Sequence, residues 1–147
     1  MKKSEVDTSK ALIDSNILFY VFDKREPEKS LVAELLVGKI AAEGRMVLSA
    51  QNLNEFYNIA TSRKRASLMT HDEAVLHIED YIATSEIYPV TQEVVLRAVE
   101  AIKRYQLSLW DSLIWAVAKL NGVTLIYTED MPSAPEIEGV RYINPFV

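Results

Sequence analysis

ALIDSNILFYVFD, residues 11–23, sets two apolar runs around one carboxylate. Ala11, Leu12 and Ile13 read as a short buried strand. Asp14 ends that run, and two more polar residues, Ser15 and Asn16, follow it. The apolar run resumes with Ile17, Leu18, Phe19 and Tyr20, which suits a short helix over 15–23 with Ser15 as its cap. The chain therefore places an acid at the point where it changes direction inside an otherwise apolar segment.

Working outward, the pattern repeats. Leu31, Leu35, Leu36 and Ile40 recur at helical spacing between Pro27 and Glu43, and Gly44 follows as a stop. Met46 to Leu48 is a second strand. A helix opening at Ser49 or Ala50 carries Leu53, Phe56, Tyr57 and Ala60 on one face. Thr70 with Glu73 three residues on forms a capping box for a helix showing Val75, Ile78 and Ile82. Ile87-Tyr88 is a third strand, and Thr91 opens a helix with Val95, Ala98 and Ile102. Leu109 to Leu120 is apolar nearly all round and reads as a buried helix ended by Asn121-Gly122. Thr124 to Tyr127 is a fourth strand, and Arg141 to Ile143 a fifth. Short strands alternating with longer helices predict an α/β fold. Helices on both faces of a mostly parallel sheet of about five short strands make three layers, α/β/α.

Composition agrees. Hydrophobic residues make up 49% and charged residues 25%, the balance of an ordinary globular chain. At 147 residues the expectation is one domain over 1–147, with a polar, loosely held start over 1–10. There is no cysteine, which excludes disulfides and thiolate metal sites. Lys2-Lys3 is followed by polar residues rather than a signal-type apolar run, and no stretch reaches the roughly 20 apolar residues of a membrane span. The chain reads as cytoplasmic. A net charge of −5 argues against a passive nucleic-acid binder, but not against an enzyme whose acids hold cations.

In parallel α/β sheets, sites lie at the carboxyl ends of the strands. Asp14 follows the first strand, and Glu129 and Asp130 follow the fourth. Asp111 opens the buried helix, and Glu55 lies one turn into the helix after the second strand. Each also has an ordinary reading. Asp14 suits a cap, Asp111 a dipole partner, and Glu129-Asp130 a turn. Glu55, among the polar positions Gln51, Asn58 and Ser62, reads by periodicity as solvent-facing. Together, however, such carboxylates repel one another unless a cation sits among them. An oxygen-only set, with two histidines in the chain, points to a hard ion: Mg²⁺, with Mn²⁺ as a substitute. One such ion, or two, can lower the pKa of a water that attacks a phosphodiester.

At these residues the sequence resembles a PIN domain, and more narrowly the toxin nucleases of bacterial VapBC-type toxin–antitoxin pairs. ALIDSNILFYVFD is similar to the first acidic motif of that family, with Asp14 as the acid and Asn16 as its polar companion. LSAQNLNEFYNIATSR resembles the second, with Glu55. LSLWDSLIWAVAKLNGVTLIYTEDM resembles the third and fourth, with Asp111 and Asp130, and Thr128 as the hydroxyl before the last acid. VRYINPF resembles the end of many members. One departure stands out: MPSAPEIEG, with two prolines, replaces the Gly-containing polar loop that many relatives carry after the fourth acid.

The resemblance implies Asp14, Glu55, Asp111 and Asp130 as catalytic and metal-binding residues, supported by Asn16 and Thr128. It also implies Mg²⁺-dependent endoribonuclease activity, an RNA substrate, a small antitoxin partner and a homodimer. It assigns Glu55 a role that periodicity denies it. Whether Glu129 also reaches a metal is left open by the residues.

Arg63, Lys64 and Arg65, in the run SRKR, are candidates for phosphate contacts, with a helix C-terminal cation cluster as the equal alternative. Lys24-Arg25 is a second basic candidate, whereas Arg97, Lys103 and Arg104 read as a solvated face. Trp110 reads as a core residue of the buried helix rather than a base-stacking platform. His71 and His77 read as surface residues, and Ser15 as a cap rather than a nucleophile.

Two other functions fit the fold class. A phospho-receiver domain also gathers strand-end acids, but it needs a Lys after the last strand, where this chain has Asn144-Pro145-Phe146-Val147. A catalytically silent PIN-like binding scaffold would be expected to have lost acids that are present here.

Overall fold

Strand β1 (Ala11–Ile13) is flanked on both sides by parallel neighbours, β2 (Met46–Ser49) and β4 (Leu125–Tyr127). The structure, a computed structural model, describes residues 8–62 and 68–147. Of the polar start, residues 1–7 lie outside the described residues, and so do Arg63, Lys64 and Arg65 of the basic run. Beyond β2 lies β3 (Glu86–Tyr88), and beyond β4 lie β6 (Val140–Ile143) and β5 (Glu136–Ile137), giving the order β3-β2-β1-β4-β6-β5. All pairings are parallel except β5 with β6.

The sheet matches the expected parallel core and adds a two-residue strand, β5, inside the proline-containing segment. Its hairpin turns on Glu138 and Gly139, with φ of 48° and 85°. Positive φ at both loop positions is the primed-turn geometry that matches strand twist. The proline-rich composition hid that turn from a pattern reading.

Side chains alternate across the sheet. Leu12, Val47, Ile126 and Tyr142 point to one face, where they pack under α5 (Gln92–Tyr105) and α6 (Leu109–Leu120). Ala11, Ile13, Met46, Leu48 and Leu125 point to the other, under α1 (Ser15–Tyr20), α2 (Pro27–Ala42), α3 (Ala50–Ala60) and α4 (His71–Thr84). These are the expected three layers. Trp115, fully buried on α6, donates its indole N–H to the Ile137 carbonyl at 3.2 Å, and the Ser112 hydroxyl donates to the Ala98 carbonyl at 2.6 Å. Burying a side chain of this size contributes about 2–3 kcal/mol, and its polar atom is satisfied. Tyr81 ties α4 to α1 through the Leu18 carbonyl at 2.9 Å. Among the described residues no helix is long and apolar enough to cross a membrane.

Caps at Ser49, Thr70 and Thr91 stand where their side chains suggest. The buried faces differ from the expected stripes. In α2, Ala33, Val37 and Ile40 are buried, while Leu31 and Leu35 are exposed. In α4 the buried residues are Ala74 and Tyr81, with Ile82 exposed; in α5 they are Val94, Ala98 and Ala101, with Val95 exposed. These helices carry apolar residues on more than one face. Alanines are among the residues each helix buries, so the largest side chains do not mark the buried stripe.

Candidate active site

The site forms where β1 and β4 end side by side. The Asp14 backbone N–H donates to the Tyr127 carbonyl at 3.0 Å, which extends the parallel ladder and brings Asp14 beside Thr128. Asp14 caps α1, accepting the Ser15 N–H on Oδ1 at 2.7 Å. The cap is thus Asp14 rather than Ser15. The Ser15 hydroxyl instead reaches across to Glu55 Oε2 at 3.0 Å, with Asp14 Oδ1 at 3.3 Å. The other Asp14 oxygen accepts the Thr128 hydroxyl at 2.8 Å, and that hydroxyl accepts the Asp130 N–H at 3.0 Å. Asn16 donates to Asp130 Oδ2 at 3.3 Å. Asp111 sits in the first turn of α6, its N–H held by Ser108 Oγ at 3.1 Å.

Carboxylate oxygens of Asp14, Asp111 and Asp130 lie within 4.8 Å of one another. Glu55 is outside that group but lines the same cavity of about 270 Å³, joined to Asp14 through Ser15. Its Oε1 is buried without a hydrogen-bond partner, as is Asn16 Oδ1. Four residues far apart in sequence thus share one cleft.

Electrostatics follow from that geometry. Burial pushes the Asp14 carboxyl up to about 6; the hydrogen bonds from Thr128 and Ser15 oppose the shift, and the charges of Glu55 and Asp111 add to it. Glu55 is raised by burial and by the charges of Asp111 and Asp130, against hydrogen bonds from Ser15 and Gln51. Asp111 is raised by burial and by Asp130. Among the described residues no Lys or Arg pairs with any of the four. The contrast is Asp23, as buried as Asp14, which holds the Arg25 guanidinium at 2.8 Å. Crowded, partly buried acids without a counter-cation, beside two unpartnered acceptor oxygens, make an all-oxygen donor set suited to a hard divalent ion.

Glu129 points elsewhere. It accepts the Tyr20 hydroxyl at 2.8 Å and the Lys29 ammonium at 2.7 Å. Although burial opposes it, these two partners hold its carboxyl below the ordinary range. Lys29 also lies over the rings of Tyr20 and Phe146, at 5.0 and 5.7 Å from their centroids. Nothing in the sequence pairs Lys29 with Glu129, which are 100 residues apart.

Trp110 differs from the expected core residue: it is 54% exposed and lines the cleft, while Trp115, five residues on, fills the core. The all-round apolar character of the helix obscured which tryptophan faces out. His71 is exposed and bonded to the Tyr57 hydroxyl at 2.9 Å, and His77 stacks on Phe22; both are remote from the acids.

The sequence matches the PIN domain family profile over residues 11–131. It is 28% identical over 121 residues to ribonuclease VapC13 of Mycobacterium tuberculosis, an alignment that covers 81% of this chain and 88% of that protein. Its fold is similar to DNA-bound VapBC of Salmonella typhimurium, with a TM-score of 0.66 at 15% identity over 93% of this chain and 98% of that one. It is likewise similar to VapC20 of M. tuberculosis, described as a sarcin-ricin loop cleaving toxin, with a TM-score of 0.62 at 17% identity over 90% and 99%. The profile match takes in strands β1 to β4 and every one of the four acids, and the chain belongs to the PIN domain family.

Proposed function

We propose that this protein is a divalent-metal-dependent endoribonuclease that acts in the cytoplasm as the toxin of a toxin–antitoxin pair. The observation that carries the reading is the convergence of Asp14, Asp111 and Asp130 within 4.8 Å, with no basic partner among the described residues. The names of its relatives, ribonuclease VapC13 and the VapBC complexes, support the toxin role, an RNA substrate and a small antitoxin partner. In this reading residues 1–147 are one domain, and the working form is a homodimer.

Asp14, Asp111 and Asp130 would hold the ion, Mg²⁺ with Mn²⁺ as a substitute, and Glu55 completes the acidic set. When bound, a divalent cation supplies Lewis-acid polarisation of the scissile phosphate and a nucleophile at neutral pH. The chain's own residues do the positioning. Thr128 and the Ser15 N–H fix both oxygens of Asp14. Asn16 orients Asp130. Glu55 is held on Oε2 by Ser15, and its buried Oε1 keeps an unused acceptor at the edge of the acidic set.

The test is cleavage of RNA by purified protein with Mg²⁺, with EDTA, and with Asp14→Asn. Cleavage should need the ion and vanish in the variant. Undiminished turnover in chelator would remove metal catalysis. Induced expression should slow growth of a bacterial host, with relief by the small product of a neighbouring gene. Normal growth with verified soluble protein would remove the toxin role.

A further inference from the structure

We infer that the groove between α3 and the start of α6 is a nucleobase subsite, in which an unpaired base of the substrate RNA stacks on Trp110 and is read by side-chain amides of α3. The inference rests on the nuclease reading above and names what that site recognises beyond the phosphate.

A cavity of about 440 Å³ lies beside the acidic cleft, lined by Gln51, Asn54, Glu55, Asn58, Ile59 and Trp110. Glu55, Ile59 and Trp110 line both spaces, so the two adjoin. The volume falls within the roughly 300–1,000 Å³ typical of small-ligand pockets. One wall is the Trp110 indole, more than half exposed and without a ring contact to any described aromatic residue. The other is the outward face of α3, where Gln51, Asn54 and Asn58 recur at helical spacing.

The side chains of Asn54 and Asn58 are exposed and make no hydrogen bond with any described residue. A carboxamide presents a donor and an acceptor side by side, which matches the edge of a nucleobase. An indole face offers the sequence-tolerant stacking surface used for single-stranded nucleic acid. The lining favours a base over a peptide segment: its apolar content is Ile59 and the indole alone, whereas a docked helix needs a continuous apolar stripe. A base held here must be unpaired, so the substrate class is single-stranded or looped RNA.

The experiment uses tryptophan fluorescence. Trp115 is buried, so its emission reports the fold, and Trp110 reports the groove. Single-stranded RNA oligonucleotides of different base composition are titrated, with Mg²⁺, into the Asp14→Asn protein, which blocks turnover. Quenching is expected, stronger for some bases than for others. Read by the anisotropy of fluorescein-labelled RNA, Trp110→Ala should weaken binding by roughly 5- to 100-fold, with Trp110→Phe closer to the parent. Asn54→Ala and Asn58→Ala should flatten the base preference, both in titration and in the cut sites of the otherwise wild-type enzyme.

Metal-dependent RNA cleavage by the wild type, measured in parallel, tests the nuclease reading separately. If the wild type cleaves yet RNA leaves Trp110 emission unchanged, the subsite is wrong. It is equally wrong if Trp110→Ala binds and cuts with unaltered affinity and base preference. Quenching by the antitoxin but not by RNA would assign the groove to the protein partner and overturn the inference.

Discussion

The Thr128 hydroxyl donates to Asp14 Oδ2 at 2.8 Å across 114 residues of sequence. Thr128 Oγ1 itself accepts the Asp130 N–H at 3.0 Å, so one buried hydroxyl at the end of β4 sets the spacing of two acids. Thr128→Val removes a donor and an acceptor while keeping the shape. It should cost about 1–3 kcal/mol of stability and roughly 10- to 100-fold in affinity for Mn²⁺, read by thermal melts and calorimetric titration, with Thr128→Ser largely restored. Wild-type metal affinity in the valine variant would remove this role.

The Asp14 carboxyl makes the protein's own stability depend on pH. Its pKa is 3.8 in the ordinary state and about 6 in the fold. The unfolded chain therefore releases this proton at a lower pH than the native one does. The contribution is neutral below pH 4, and stability falls as the pH rises through 6. At pH 7 without a cation, the ionised carboxylate costs the fold on the order of 2–3 kcal/mol. Asp14→Asn should therefore melt higher than the wild type at pH 7 in EDTA, and its stability should vary less between pH 4 and 6. A variant that melts lower at pH 7, with an unaltered pH profile, would contradict the assignment.

A divalent ion should offset the same cost of an ionised Asp14. Mg²⁺ or Mn²⁺ at about 100 times its dissociation constant would add roughly 2.7 kcal/mol at neutral pH, and EDTA should reverse the gain. The gain should shrink at pH 5, where protons compete for Asp14. It should be absent in Asp14→Asn and much reduced in Asp111→Asn and Asp130→Asn. Equal stabilisation of all three variants would place the ion elsewhere.

Glu129 adjoins Asp130 in sequence but bonds to different partners. Its carboxylate is committed to Lys29 and Tyr20, in a partly exposed network. Glu129→Gln should leave metal affinity and cleavage within about 3-fold of wild type, and should cost no more than about 1 kcal/mol of stability. A loss of metal affinity as large as that of Asp130→Asn would return Glu129 to the metal site.

Much of this was legible in the residues. The parallel α/β class followed from short apolar strands alternating with capped helices, because strand and helix periods and cap chemistry are local properties. Asp14, Asp111 and the Glu129-Asp130 pair were legible too, since strand ends and helix starts are where this class of sheet gathers its chemistry, and the family resemblance singled out Asp130 from the pair. Glu55 was not legible from periodicity, because a residue lining a cleft has the same polar neighbours as one facing bulk water. Only its resemblance to a family motif assigned it.

Sequence by itself determined the fold class, the carboxylates at strand ends and at a helix start, and the absence of thiol chemistry, because each depends on residue type and short-range spacing. Tertiary structure decided the rest: that Asp14 caps α1 while Ser15 turns to Glu55, that Glu129 leaves for Lys29, and that Trp110 faces the cleft while Trp115 fills the core. Those choices depend on which side chains meet across the sheet after the strands register. Two carboxylates adjacent in sequence, or two tryptophans on one helix, carry no local mark of the partner that will claim them.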